Sequence, residues 1–265
     1  MSHSPPPPPT LHLPRILCLH GGGTNSDVFR AQMRGFMSRT LIPHFRLVFA
    51  NGPYECPPHP AIVQVYGDYA PFYRWLRWKE DHDAVDAHQC SAQILTQIKR
   101  AMDDDDGYGD WVGVLGFSQG AKIAASLLWL QERNVFQGIP FLGRGVRFKF
   151  GILMAGSAPV VMLDPTGDCG ETPRHVETAD NLSLAFTDWP AFNHGEHVVS
   201  LPTLHVHGLL DEGIARHRKL LKLYCKPGTA RVVEWMGDHR LPIKSTDVAM
   251  VTNEMLEMAK ETGVL

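Results

Sequence analysis

Ser118 stands between two glycines in Gly116-Phe-Ser-Gln-Gly120, a G-x-S-x-G pattern. An apolar run, Trp111 to Phe117, leads into it, and a small-residue run containing Ala121, Ala124 and Ala125 leads away. A serine on a tight strand-to-helix turn is lifted clear of the sheet, and the flanking glycines let strand and helix approach closely. The helix N-terminus also turns backbone N–H groups and the positive end of its dipole toward the reacting centre. A hydroxyl is a poor nucleophile until a base takes its proton, and that base needs an acid to orient it. The acid is sought in the loop after a later strand, and the histidine in the loop after the last one. Asp211 follows the run Thr203 to His207 after a glycine turn, and His239 follows Ala230 to Trp235 in Gly-Asp-His-Arg. Glu212 is the alternative acid. Ser118, Asp211 and His239 would carry out acyl transfer through a covalent intermediate.

Acyl transfer also needs backbone donors for the developing oxyanion. The N–H of Gln119, next after the nucleophile, is one. The second is expected from Leu19-His-Gly-Gly-Gly-Thr-Asn25, with Gly22 as first choice and Gly23 as second. Those glycines are not a phosphate cradle, because no G-K-[ST] follows them. Aromatic residues crowd two loops, Tyr66, Tyr69, Phe72, Tyr73, Trp75 and Trp78 in one and Phe186, Trp189 and Phe192 in the other. Gly23, Tyr73, Phe117 and Trp189 are the candidates for contact with an acyl group. His205 and His207 alternate on one strand and share a face, but no third ligand accompanies them, so no metal and no cofactor is expected. Asp103 to Asp106 lacks the alternating ligand spacing of a calcium loop.

Six apolar runs must position these residues: Arg15 to His20, Phe45 to Ala50, Trp111 to Phe117, Phe148 to Met154, Thr203 to His207 and Ala230 to Trp235. Helical spacing fills Ser26 to Arg39, Asp81 to Met102, Ala121 to Arg133, Ile214 to Cys225 and Ser245 to Lys260. Strand and helix alternating without hairpin signals predict an α/β fold, a mostly parallel sheet of six strands with helices on both faces. Residues 14–265 form one domain on this reading. Residues 160–200 are an insertion, rich in Asp, Thr, Pro and His, expected to act as a lid or binding loop. MSHSPPPPPT and the next three residues read as a disordered, proline-rich tail over residues 1–13.

The 265 residues carry a formal charge of −3, which gives no field for gripping nucleic acid or an anionic membrane. Five scattered cysteines without a C-x-x-C pair argue against a disulfide scaffold and a structural zinc. A reducing, cytoplasmic setting is expected, with neither a signal peptide nor an apolar run long enough to span a membrane.

Taken together, Ile16-Leu-Cys-Leu-His-Gly-Gly-Gly-Thr-Asn25, Pro71-Phe-Tyr-Arg-Trp75, Gly116-Phe-Ser-Gln-Gly-Ala121, Pro202-Thr-Leu-His-Val-His-Gly208 with Asp211, and Gly237-Asp-His-Arg-Leu-Pro242 resemble the fungal serine hydrolase (FSH) family of α/β-hydrolases. The resemblance spans nearly the whole chain beyond the tail. It implies an α/β-hydrolase fold, a Ser118–His239–Asp211 triad and cleavage of carboxyl esters or thioesters. It further implies, for a subset of the family, release of a polyketide or fatty-acyl chain from an acyl carrier domain. Such a carrier would be acidic, and Arg216, Arg218, Lys219 and Lys222 offer a basic surface just after Asp211. The family often has Gly-Gly-His where this chain has Gly-Asp-His, which sets the Asp238 carboxylate beside His239. The alternatives are a carboxylesterase acting on small or lipid esters and, in another class, a hydrolase fold that only binds a ligand.

Overall fold

The computed structural model describes residues 10–133, 140–143, 146–182 and 185–265. The chain runs β1 (Arg15–Leu19), α1 (Ser26–Gln32), α2 (Arg34–Phe36), β2 (Arg46–Ala50), β3 (Tyr54–Cys56), α3 (Pro60–Tyr66), β4 (Phe72–Arg74) and α4 (Ala87–Asp103). It continues with β5 (Trp111–Phe117), α5 (Gln119–Arg133), β6 (Phe150–Met154), β7 (Val161–Met162), β8 (Glu177–Thr178), β9 (Thr203–Gly208), α6 (Ile214–Tyr224), β10 (Ala230–Trp235) and α7 (Ser245–Glu261). Six strands form one sheet in the order β10-β9-β6-β5-β1-β2, with every neighbouring pair parallel.

Because side chains alternate along a strand, each buried strand feeds two cores. Leu17 and Leu19 of β1 join Val114, Leu153 and the apolar faces of α4, α5 and α6. Ile16 and Cys18 face the other way, with Leu115, Ile152, Val206 and the faces of α1 and α7. The chain order reverses between β1 and β5, and loops leaving the C-terminal ends of strands at such a switch point form the crevice where doubly wound sheets bind ligands.

Several boundaries differ from the sequence expectation. The long first helix stops at Gln32, capped by Met33, and the next one begins only at Ala87, where the Asp86 side chain accepts from the His88 and Gln89 N–H groups. Phe148 precedes β6, its backbone held by both ends of the Gln131 amide. The antiparallel pair β3–β4 and the helix α3 were not expected; α3 buries none of its residues, so no apolar stripe announces it. The expected tail is shorter at its inner end: Thr10–His12 forms a 3-10 turn, and the Leu11 carbonyl accepts from Tyr108 N–H at 2.7 Å. The five prolines lie outside the described residues.

The 160–200 segment is fastened along α5. Val161 N–H donates to Ser126 Oγ at 2.8 Å, Trp129 Nε1 donates to the Glu196 carbonyl at 2.6 Å, and Ser200 N–H donates to Glu132. Val160, Val161 and Leu163 are fully buried in the α4–α5 core. These contacts pack the two ends of the segment as a layer on the helices. Its anchor is an ion pair, Lys122 Nζ to Glu177 Oε2 at 2.5 Å, with side chains 3% and 2% exposed. Removing one member of such a pair strands the other charge in low dielectric. Glu177→Ala is therefore expected to cost about 3–5 kcal/mol in urea unfolding, and the double replacement Lys122→Met with Glu177→Leu much less.

Candidate active site

Ser118 sits where β5 passes into α5, with φ 54, a left-handed conformation that a residue with a Cβ rarely adopts. Its N–H donates to the Met154 carbonyl at 2.8 Å, and its own carbonyl accepts from the N–H groups of Ala121 and Lys122. The turn is possible because its flanks have no side chains. A Cβ on Gly116 would lie 2.2 Å from the Gly120 carbonyl oxygen, and one on Gly120 would lie 2.1 Å from the Leu19 carbonyl oxygen. Gly120→Val should therefore destabilise the protein by more than about 3 kcal/mol, read as a lowered urea midpoint, because the Leu19 and His20 backbone must move.

The loop after β10 brings His239 over the serine, with His239 Nε2 2.8 Å from Ser118 Oγ. His239 Nδ1 lies 2.7 Å from Asp211 Oδ2, and Asp211 Oδ1 accepts the Gly213 N–H at 2.7 Å. The two loops are held together by a close approach at Gly208, where a Cβ would meet the Gly237 and Asp238 carbonyl oxygens at 2.5 Å. Burial alone would push the Asp211 carboxyl up, but the hydrogen bond and charge of His239 and the Gly213 N–H outweigh it and hold the group below the ordinary carboxylate range. Glu212 is exposed, and the structure brings Asp211 to the histidine. Asp238 pairs with Arg240 at 2.8 Å.

The glycine loop after β1 lies beside this chain of bonds. Gln119 begins α5, so its N–H is among the first-turn donors that have no partner within the helix. Gly22 lies under the Trp78 ring, which occupies the space a Cβ would need at 2.7 Å. Gly23, the second choice for an oxyanion donor, is corrected: its N–H donates to the Tyr73 carbonyl at 2.9 Å and is spent. Phe117 lines the site, its ring 5.3 Å from that of His239. Tyr73 and Trp189 each have a structural contact of their own. Tyr73 holds the glycine loop through its backbone and lines a groove of about 690 Å³ beside β2 that does not include Ser118. Trp189 lies under Lys219 Nζ at 3.9 Å, and Lys219 is two residues, about 200° of helix, from the inward-facing His217.

The sequence reading missed the side-chain contacts that fix the glycine loop. His20 is fully buried and joins two strand-end loops: its Nδ1 is 2.7 Å from the Gly21 carbonyl and its Nε2 2.9 Å from the Gly52 N–H. The carbonyl can only accept and the N–H can only donate, so the ring is neutral with its proton on Nδ1. The Gln119 side chain clamps the segment after β4, its Oε1 accepting from Trp75 and Leu76 N–H at 2.7 and 3.1 Å. Trp75 Nε1 donates to the His20 carbonyl at 2.8 Å. The positions of His20 and Gln119 inside the glycine loop and the elbow were the available signal.

Behind Asp211 runs a row of buried histidines, His205, His207 and His217, with successive rings 5.8 Å apart and His217 5.9 Å from His239. Burial pushes His205 down to about 3 and His20, His207 and His217 down to about 4. Their folded values lie below the unfolded value near 6.5, so the unfolded chain takes up protons that the folded chain refuses. Stability present above pH 6.5 is therefore lost as pH falls toward 4, by up to about 5 kcal/mol per pH unit if all four contribute. Urea midpoints between pH 7 and 5 should fall steeply; a flat profile would contradict the buried, neutral assignment.

A parallel sheet carrying a serine on a strand-to-helix turn, with a histidine and a buried carboxylate on later loops, defines an α/β-hydrolase. The chain belongs to the serine hydrolase (FSH1) family, whose model matches residues 10–251, and it is a serine hydrolase enzyme. It is 48% identical to Esterase pigG of Monascus ruber, over 97% of this chain and 95% of that protein. It is 44% identical to Esterase claE of Penicillium crustosum, over 96% of each. Among solved structures, the Bacillus cereus carboxylesterase shares the fold with a TM-score of 0.53 at 15% identity, over 93% of this chain and 89% of that one. Among the described residues no helix is long and apolar enough to cross a membrane.

Proposed function

We propose that the protein cleaves acyl esters or thioesters by double displacement at Ser118. The observation that carries this is the unbroken hydrogen-bonded chain Ser118 Oγ–His239–Asp211 at 2.8 and 2.7 Å. His239 Nε2 takes the Ser118 proton as Oγ attacks the carbonyl carbon. The oxyanion is met by the N–H groups of Gln119 and Gly22, worth about 3 kcal/mol per donor. Asp211 keeps the imidazole proton on Nδ1 and stabilises the imidazolium. His239 then returns its proton to the departing alcohol or thiol, and water repeats the sequence to free the acid. No step calls on a cofactor.

The esterase names of the relatives favour an oxygen ester as the bond broken. Release of a polyketide or fatty-acyl chain from an acidic carrier domain is the finer reading. Its basic docking helix is partly committed, with Arg218 held by Glu234 at 2.9 Å and Lys219 seated on Trp189. The ligand-binding alternative has no use for an aligned triad.

Intact mass after treatment with a fluorophosphonate probe tests the proposal, with thioester and oxygen-ester turnover measured on the same sample. One adduct on Ser118 is expected. Faster thioester turnover would favour chain release, oxygen-ester turnover alone the carboxylesterase. A folded protein that takes up no probe would overturn the catalytic reading and leave the binding module.

A further inference from the structure

The Asp211 carboxylate has two imidazoles aimed at it, and the mechanism uses one. His217, on α6, is 1% exposed, and its Nδ1 has no hydrogen-bond partner among the described residues. That nitrogen points at Asp211 Oδ2 from 3.8 Å, too far for a hydrogen bond. His239 Nδ1 approaches the same oxygen from 2.7 Å. Asp211, His217 and His239 thus each offer a ligand atom, and the three atoms lie within 4.8 Å of one another.

Two imidazoles and a carboxylate are a donor set suited to zinc, at about 2.0–2.2 Å from the ion. Tetrahedral ligands at those lengths are about 3.4 Å apart. The two separations to the carboxylate, 2.7 and 3.8 Å, fall on either side of that spacing, and the two imidazole nitrogens lie within 4.8 Å of each other, so the rings must swing inward to close the set. His239 is the gate, since its side chain is 39% exposed while that of Asp211 is 2% exposed.

We propose that Asp211, His217 and His239 form an inhibitory site for a divalent transition-metal ion, zinc above all, resting on the serine hydrolase reading for its effect. The ion takes the place of the Nδ1 proton between His239 and Asp211, with water in the fourth position. That proton moves through solvent to Nε2, so the ring stays neutral with its single proton now on that nitrogen. Nε2 faces Ser118 Oγ at 2.8 Å, so the atom that must accept the serine proton becomes a donor. Metal at this site switches off the base without touching Ser118 or the oxyanion loop.

The test uses the full chain with Zn2+ alone and Co2+ alone, in wild type, His217→Asn and His217→Phe. His217 makes no hydrogen bond to the triad, so both variants keep ester turnover. Expected in wild type are chelator-reversible inhibition by micromolar Zn2+, slowed fluorophosphonate labelling, and a Co2+ visible band typical of tetrahedral nitrogen and oxygen ligation. The His217 variants should raise the inhibitory concentration by at least about tenfold and lose the band. Because the Co2+ spectrum needs no turnover, a band lost in His217→Asn supports the site even if Ser118 proves not to be the nucleophile. No band and no inhibition up to about 1 mM Zn2+ would overturn the proposal. So would equal inhibition in the variants, or a thiolate charge-transfer band placing the metal on a cysteine.

Discussion

Ser118→Ala is expected to lower kcat/KM for any ester substrate by about 10^4- to 10^6-fold while leaving the fold in place. Alanine keeps the Cβ and hence the same left-handed backbone cost that Ser118 bears at φ 54. The elbow is held by the backbone bonds of residue 118 to Met154, Ala121 and Lys122, none of which involves Oγ. What is lost is one hydrogen bond, to His239 Nε2, worth about 1 kcal/mol to stability. Activity and stability should therefore separate, with a near-normal urea midpoint and no probe adduct. Adding His239→Ala should cost little more, because a base without its nucleophile has nothing to deprotonate. Additive losses would mean that another group attacks the substrate.

How much of this was visible in the sequence depends on whether a residue acts locally or across the fold. β1, β2, β5 and β9 were legible because buried parallel strands read as near-continuous apolar runs, and the edge strand β10 because β-branched and aromatic residues, Val232, Val233 and Trp235, mark it. Ser118, Asp211 and His239 were legible because each follows such a run at a loop, and the loops at one sheet edge must converge. The break at Met33 and the exposed α3 escaped detection since neither changes the apolar period that marks helices. Gly22 was ranked ahead of Gly23 as oxyanion donor, though nothing local in Gly-Gly-Gly separates them. Only the pairing of Gly23 with Tyr73, fifty residues on, spends one donor and spares the other. His217 was hidden inside Ala215-Arg-His-Arg-Lys, which reads as a charged surface. On α6 the helical turn sends Arg218 outward to Glu234 and His217 inward behind Asp211. Trp189 was ambiguous for the converse reason, since an aromatic in a long loop serves equally to line a pocket or to pack that loop down.

Asp211→Asn is the sharper test of the triad, because it preserves shape and alters only where protons sit. Gly213 N–H donates to Asp211 Oδ1 at 2.7 Å, and a backbone N–H can only donate. The asparagine must therefore keep its carbonyl oxygen toward Gly213 and turn its NH2 toward His239 Nδ1. That nitrogen becomes the acceptor, the ring proton moves to Nε2, and Nε2 can no longer take the Ser118 proton. The expected loss in kcat is about 10^4-fold, or roughly 5.5 kcal/mol of transition-state stabilisation, with KM little changed. Fluorophosphonate labelling should slow in parallel, as it draws on the same base. Urea unfolding should shift little, since the substitution is isosteric and both the Gly213 and His239 bonds persist with one direction reversed. Asp211→Ala removes the carbonyl that orients the Gly213 turn as well, so a larger stability loss there than in Asp211→Asn would identify Oδ1 as the structural oxygen and Oδ2 as the catalytic one.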